Sequence, residues 1–118
     1  MAERPLVACL CAEWCDSCRD YRGVFSTLAA RFAGRADFIW IDIEDQATLL
    51  GEVEVENFPT LLIVGGDPGA VRFFGAVTPQ PAVAERLVHE ALNGTMAASC
   101  AASAEVDAMA RRLRLRSP

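Results

Sequence analysis

Hydrophobic positions along this chain fall into two patterns: unbroken apolar runs, and stretches where apolar residues return every three or four positions. Leu6 to Cys11 is an unbroken run between Pro5 and Ala12-Glu13, the pattern of a buried strand. From Cys15 or Asp16 the period changes. Cys18, Tyr21, Phe25, Leu28 and Phe32 fall on one helical face, with Arg19, Arg22 and Arg31 elsewhere, and Gly34 is a natural stop. Asp37 to Ile43 predicts a second buried strand, and Ala47 to Glu52 a short helix. Asn57-Phe58-Pro59 breaks the pattern before a third strand over Thr60 to Val64. The turn signal Gly65-Gly66-Asp67-Pro68-Gly69 joins it to Ala70–Phe74 as a hairpin. Thr78 is the expected N-cap of a further helix, with Pro79 in its first turn. Val83, Leu87, Val88 and Ala91 form its apolar stripe, and Asn93-Gly94 ends it.

The pattern fades over Thr95 to Ala104, a small-residue linker, and returns over Glu105 to Arg116 with Val106, Met109, Ala110 and Leu113 at helical spacing. Acids lead this last helix and Arg residues trail, as the helix dipole favours. The expected division is a domain over residues 1–94, then a linker and C-terminal amphipathic helix over 95–118. Charge divides the same way. Residues 1–94 carry seven Arg and fourteen acids, net −7, whereas 95–118 carry four Arg and two acids, net +2. The tail is therefore expected either to dock on its own acidic domain or to stand as a solvated helix.

At 118 residues the chain has room for one domain and a core burying roughly two-thirds of its unfolded surface. A net charge of −5 argues against general nucleic-acid binding, which needs a basic face. No run reaches the roughly 20 apolar residues of a membrane span, and Leu6–Leu10 is too short for a signal peptide's apolar region. The expected compartment is the cytoplasm, where thiols are kept reduced and a cysteine pair points to catalysis, redox sensing or metal binding. Five cysteines leave at least one unpaired.

The sharpest chemical signal is Trp14-Cys15-Asp16-Ser17-Cys18, at the junction of a predicted strand and helix. A C-x-x-C spacing brings both sulfurs within one helical turn. The first sulfur then meets the unpaired N–H groups and positive dipole end of the helix, which stabilise a thiolate. That thiolate is the attacking species in thiol–disulfide exchange, and the second, shielded sulfur resolves the mixed disulfide.

Ala12-Glu13-Trp14-Cys15 with Cys18 resembles the active-site segment of the thioredoxin family. Phe58-Pro59-Thr60 is similar to its cis-proline loop, and Gly75 to the glycine of its substrate groove. The resemblance spans about residues 5 to 94 and lacks the family's extra N-terminal strand and helix. It implies a three-layer α/β fold, with a four-stranded mixed sheet of order 2-1-3-4 flanked by helices, to which the C-terminal helix is added. It implies catalysis by Cys15 (attacking) and Cys18 (resolving), and substrate contacts from Trp14, Asp16, Ser17, Phe58, Pro59, Thr60 and Gly75. It implies no cofactor and no metal. The partners are a protein disulfide or dithiol and a thiol reductase donor, with no nucleic acid and no membrane.

This chain departs from the family pattern around the pair. Cys9 aligns with the family's buried Asp, Trp40 with that Asp's Lys partner, and Cys11 with a common aromatic. Asp16 beside Cys15 opposes thiolate formation, because a like charge favours the neutral thiol. Glu52, Glu54 and Glu56 add negative potential, so basic or neutral partners and a narrower exchange activity are expected.

Other readings remain open from sequence. Cys9 and Cys11, on one face of a strand, serve either as small core hydrophobes or as a third thiol near the pair. Four cysteines over Cys9–Cys18 also fit a metal cluster, though paired knuckles usually straddle a longer loop. Cys100 is expected to be an exposed thiol, His89 a helix-surface residue and Trp40 core. Beside the enzyme stands a different function, a thioredoxin-like adaptor that holds partners in the Trp14/Phe58/Pro59 groove without turnover.

Overall fold

In a computed structural model, residues 4–12, 15–51, 53, 55, 59–65, 71–78, 80–93 and 104–116 are described. The elements run β1 (Leu6–Cys11), α1 (Asp16–Arg31), β2 (Asp37–Asp42), α2 (Ala47–Leu50), β3 (Thr60–Val64), β4 (Val71–Ala76), α3 (Pro81–Leu92) and α4 (Ala104–Arg116). The strands form one sheet of order β2-β1-β3-β4, the arrangement expected from sequence. β1 is parallel to β2 across the α1 crossover and antiparallel to β3, and β3 is antiparallel to β4.

Being central, β1 is buried at every position, which is why its sequence is a continuous apolar run. β2, expected to be fully buried, is an edge strand and mostly half-buried, so Trp40 is only partly covered. Alternation along β1 sends its residues to two faces. Val7, Cys9 and Cys11 face a layer holding Cys18, Tyr21, Phe25, Leu28 and Phe32 of α1 and its C-cap, with Ala84 and Val88 of α3. Leu6, Ala8 and Leu10 face a second core with Leu62, Val64, Val71, Leu50 and four residues of α4: Val106, Met109, Ala110 and Leu113.

The C-terminal helix is thus part of the core. Met109 and Leu113 are fully buried, and Arg112 Nε donates to the Leu49 carbonyl at 2.8 Å. Arg114 donates to the Gly65 carbonyl and lies 3.8 Å from Asp37, so the docked helix also meets acidic charge. Of the expected linker, Thr95 to Ala104, residues 95–103 fall outside the described residues, and Ala104 already belongs to α4.

α3 starts later than the Thr78 cap implies. Gln80 is the N-cap, in extended conformation, and Pro81 occupies the first turn. A residue before proline is pushed out of the helical region, so Gln80 cannot continue a helix begun earlier. Thr78 instead donates to the Gln80 side chain at 2.9 Å. His89 is half-buried, its ring edge-on to Phe32 at 5.0 Å.

Candidate active site

Three connections converge at one end of the sheet. Leu10 pairs with Thr60 and Thr60 with Ala76. The exit of β1, the start of β3 and the end of β4 therefore meet there, bringing together the segments of Cys15, Pro59 and Gly75.

Cys15 is the N-cap of α1, in extended conformation with φ −89° and ψ 121°. Its carbonyl accepts from the N–H groups of Cys18 at 3.1 Å and Arg19 at 3.2 Å, and its own N–H donates to Ala12 at 3.1 Å. These bonds fix the turn so that the Cys15 thiol stands half-exposed at the positive end of the helix. Cys18, one turn on, is 1% exposed and points into the core.

The disulfide joins Cys18 to Cys11, with Cα atoms 5.7 Å apart, and Cys15 keeps a free thiol. The C-x-x-C spacing pointed to Cys15–Cys18 as the working pair. The geometry gives Cys18 a different partner because Cys11 lies on the β1 face that α1 covers. Cys9 is a fully buried free thiol whose sulfur is 3.7 Å from that of Cys11. Desolvation pushes the Cys9 thiol up to about 12, so it stays protonated. Tyr21, also buried here, is raised to about 12 by desolvation and then by Cys9. Its hydroxyl has no hydrogen-bond partner among the described residues.

Asp16 and Ser17 are exposed in the first turn of α1, and Asp16 pairs with Arg19. Its charge is thereby countered next to Cys15. A cleft of about 370 Å³ lies beside Cys18, lined by Ala12, Cys18, Arg19, Arg22 and Trp40. The Arg22 guanidinium sits 5.2 Å from the Trp40 ring centroid. The described rim is thus basic, while Glu52, Glu54 and Glu56, expected to make it acidic, lie outside the described residues. Neither arginine was singled out from sequence, although both lie on the exposed side of the predicted α1 stripe. Cys9 and Trp40 are register partners across β1 and β2, with Leu61 opposite Cys9 on β3.

Pro59 is buried, and its carbonyl accepts from the Val77 N–H at 3.0 Å, anchoring the loop to the end of β4. Thr60 is 3% exposed. Gly75 pairs with Leu61, and a Cβ there would meet the Phe73 ring at an ordinary 3.5 Å. Packing among the described residues therefore does not require glycine at that position. Trp14 and Phe58, and with Phe58 the peptide bond expected to be cis, lie outside the described residues. So does Cys100. Among the described residues, no group of His, Cys, Asp and Glu is arranged to hold a metal, and no helix is long and apolar enough to cross a membrane.

A family model described as Thioredoxin matches residues 1–88. Thioredoxin from Staphylococcus aureus is 33% identical over 52 residues, covering 44% of this chain and 50% of the relative. The chain therefore spans about half the length of the curated relatives it matches. Chloroplastic thioredoxin z shares the fold with a TM-score of 0.68 at 20% identity, over 78% of this chain and 81% of its own. The germline thioredoxin Deadhead of Drosophila melanogaster gives 0.65 at 17% identity, over 75% and 81% of the two chains. With the family match covering β1 through most of α3, this chain belongs to the thioredoxin family.

Proposed function

We propose that the protein is a thiol–disulfide oxidoreductase in which Cys15 attacks a partner's disulfide and Cys18 resolves the mixed disulfide. The observation that carries this reading is the contrast between the two sulfurs: Cys15 half-exposed at the N-terminus of a 16-residue helix, Cys18 buried one turn inside it. The Cys15 thiolate displaces one sulfur of the partner, which leaves as a thiol. Cys18 then displaces the other, giving a Cys15–Cys18 disulfide and a reduced partner. Family membership supports the activity class. The direction, reduction of a protein disulfide, requires a thiol reductase donor and fits the cytoplasm.

As the family resemblance implies, the partner contacts assigned in this reading are Trp14, Asp16, Ser17, Phe58, Pro59, Thr60 and Gly75. Gly75 suits a backbone that an extended partner segment must approach, and the loop before β3 suits pairing with such a segment. With Cys9 in place of a carboxylate, no described side chain is set to take the Cys18 proton. Resolution then depends on solvent or the partner.

Insulin reduction with dithiothreitol as donor tests the reading. The wild-type rate should exceed that of Cys15→Ser by on the order of 10²-fold or more, since the variant loses its attacking thiolate. Equal rates would overturn the reading and favour the non-catalytic binding module.

A further inference from the structure

We propose that Cys11 is a second resolving partner for Cys18, so that the oxidised protein stores its disulfide inside the core and regains a free thiol at Cys15. This rests on the exchange activity proposed above.

Three observations carry it. Cys18 is bonded to Cys11 across the β1–α1 interface, with a Cα separation inside the range of about 4.4–6.8 Å that disulfides adopt. Cys15 keeps a free thiol, yet it packs against the same cluster of Cys9, Cys11, Cys18 and Tyr21. The C-x-x-C spacing brings Cys15 within reach of Cys18 as well. Cys18 therefore lies between two partners, one on the surface side and one in the core.

The step balances without an outside oxidant. Turnover leaves a Cys15–Cys18 disulfide. The Cys11 sulfur attacks Cys18; the Cys11–Cys18 bond forms and the Cys15–Cys18 bond breaks. The proton lost by Cys11 ends on Cys15, and the number of disulfides is unchanged. Exchange stops there. Cys9 is two residues from Cys11 on one strand face, with parallel side chains that do not suit a bond, and burial holds it as the thiol.

This state differs from an ordinary oxidised exchange enzyme. Cys15 still attacks a partner disulfide, but Cys18 is engaged and cannot release the product. Accumulated oxidation therefore converts a turnover enzyme into one that holds its partner covalently until Cys11–Cys18 is reduced.

The test uses the full chain with Cys100→Ser. Cys15→Ser in that background keeps Cys9, Cys11 and Cys18 and changes a surface position, so it should fold. After diamide treatment and denaturation, one of these three thiols should react with maleimide. Cleavage after Glu13 and before Asp16 separates the Cys9/Cys11 peptide from the Cys18 peptide, and the two should be found linked. Three reactive thiols, or linkage within the Cys9/Cys11 peptide, would overturn the proposal.

The second measurement is alkylation of Cys15 in the folded, oxidised protein. It should be on the order of tenfold faster in the Cys100→Ser protein than after adding Cys11→Ala, which leaves Cys18 only Cys15 as a partner. Equal protection of Cys15 in both would also overturn it. Failure of the exchange reading is seen separately, as absence of insulin turnover by the reduced protein.

Discussion

The two faces of the sheet are built from the same strands but from different chemistry. On one, Leu6, Ala8, Leu10, Leu62 and Val64 meet Met109 and Leu113, with no sulfur among the described residues of the cluster but the methionine's thioether. On the other, Val7, Cys9 and Cys11 meet Cys18 and Tyr21, so nucleophilic and titratable groups sit among aromatic rings. Odd and even positions of a single six-residue strand, β1, separate the two. The aliphatic face gains its stability chiefly from buried area. The sulfur face has stability that depends on oxidation state and pH, because its groups change bonding and charge.

Removing residues 104–118 should break this division most severely. It removes Val106, Met109 and Leu113 and uncovers the sheet face beneath them; their burial contributes roughly 5–8 kcal/mol together, comparable with a whole domain's net stability of about 5–15 kcal/mol. A truncated chain ending at residue 103 should lose its cooperative thermal transition by circular dichroism. An unchanged melt would mean that the first 94 residues close both faces themselves.

Alkaline pH should strike only the sulfur face. The Cys9 thiol titrates near its ordinary 9.0 when unfolded and at about 12 when folded. Folded chains thus bind more protons across that interval, and stability falls as pH rises from about 9 to 12. The slope is up to about 1.4 kcal/mol per pH unit for this group. Urea unfolding at several pH values should show it, with a shallower fall in Cys9→Ala. A pH-independent stability would remove the contrast between the faces.

Reducing Cys11–Cys18 should cost less. The two cysteines are seven positions apart, and a loop that short is worth about 2.5 kcal/mol in the chain-entropy model. Oxidised protein should melt above reduced protein, and Cys18→Ala, which takes from Cys11 and Cys15 their common partner, should abolish most of the gap. The smallest effect is expected from Tyr21→Phe. It removes a buried hydroxyl without a partner among the described residues, and should be neutral or stabilising by under about 1 kcal/mol. Marked destabilisation would reveal a bond to that hydroxyl.

Much of this was legible in the residues. The element order follows from changes of period, and the Cys15–Cys18 spacing at a strand–helix junction marked the candidate site. The shared face of Cys9 and Cys11 follows from strand alternation. The Cys11–Cys18 pairing was not legible, because it depends on how closely α1 approaches β1, and that is set by packing of Tyr21, Phe25 and Leu28. The partial exposure of β2 was likewise hidden: the expected order 2-1-3-4 already put it at the edge, but Phe38-Ile39-Trp40-Ile41 is as apolar as a central strand. The choice between a docked and a solvated tail was open from charge alone. It turns on the shape of the aliphatic face that Met109 and Leu113 fill.

The closing of that face by the last helix also sets a timetable. Leu6, Ala8 and Leu10 leave the ribosome about 100 residues before their cover, Val106 to Leu113. At about 5–20 residues per second, the nascent sheet waits roughly 5–20 s with an apolar surface open. During synthesis the protein is therefore a natural client for chaperones that shield such surfaces, and a chain stalled before residue 106 would aggregate through the face that α4 covers in the folded protein.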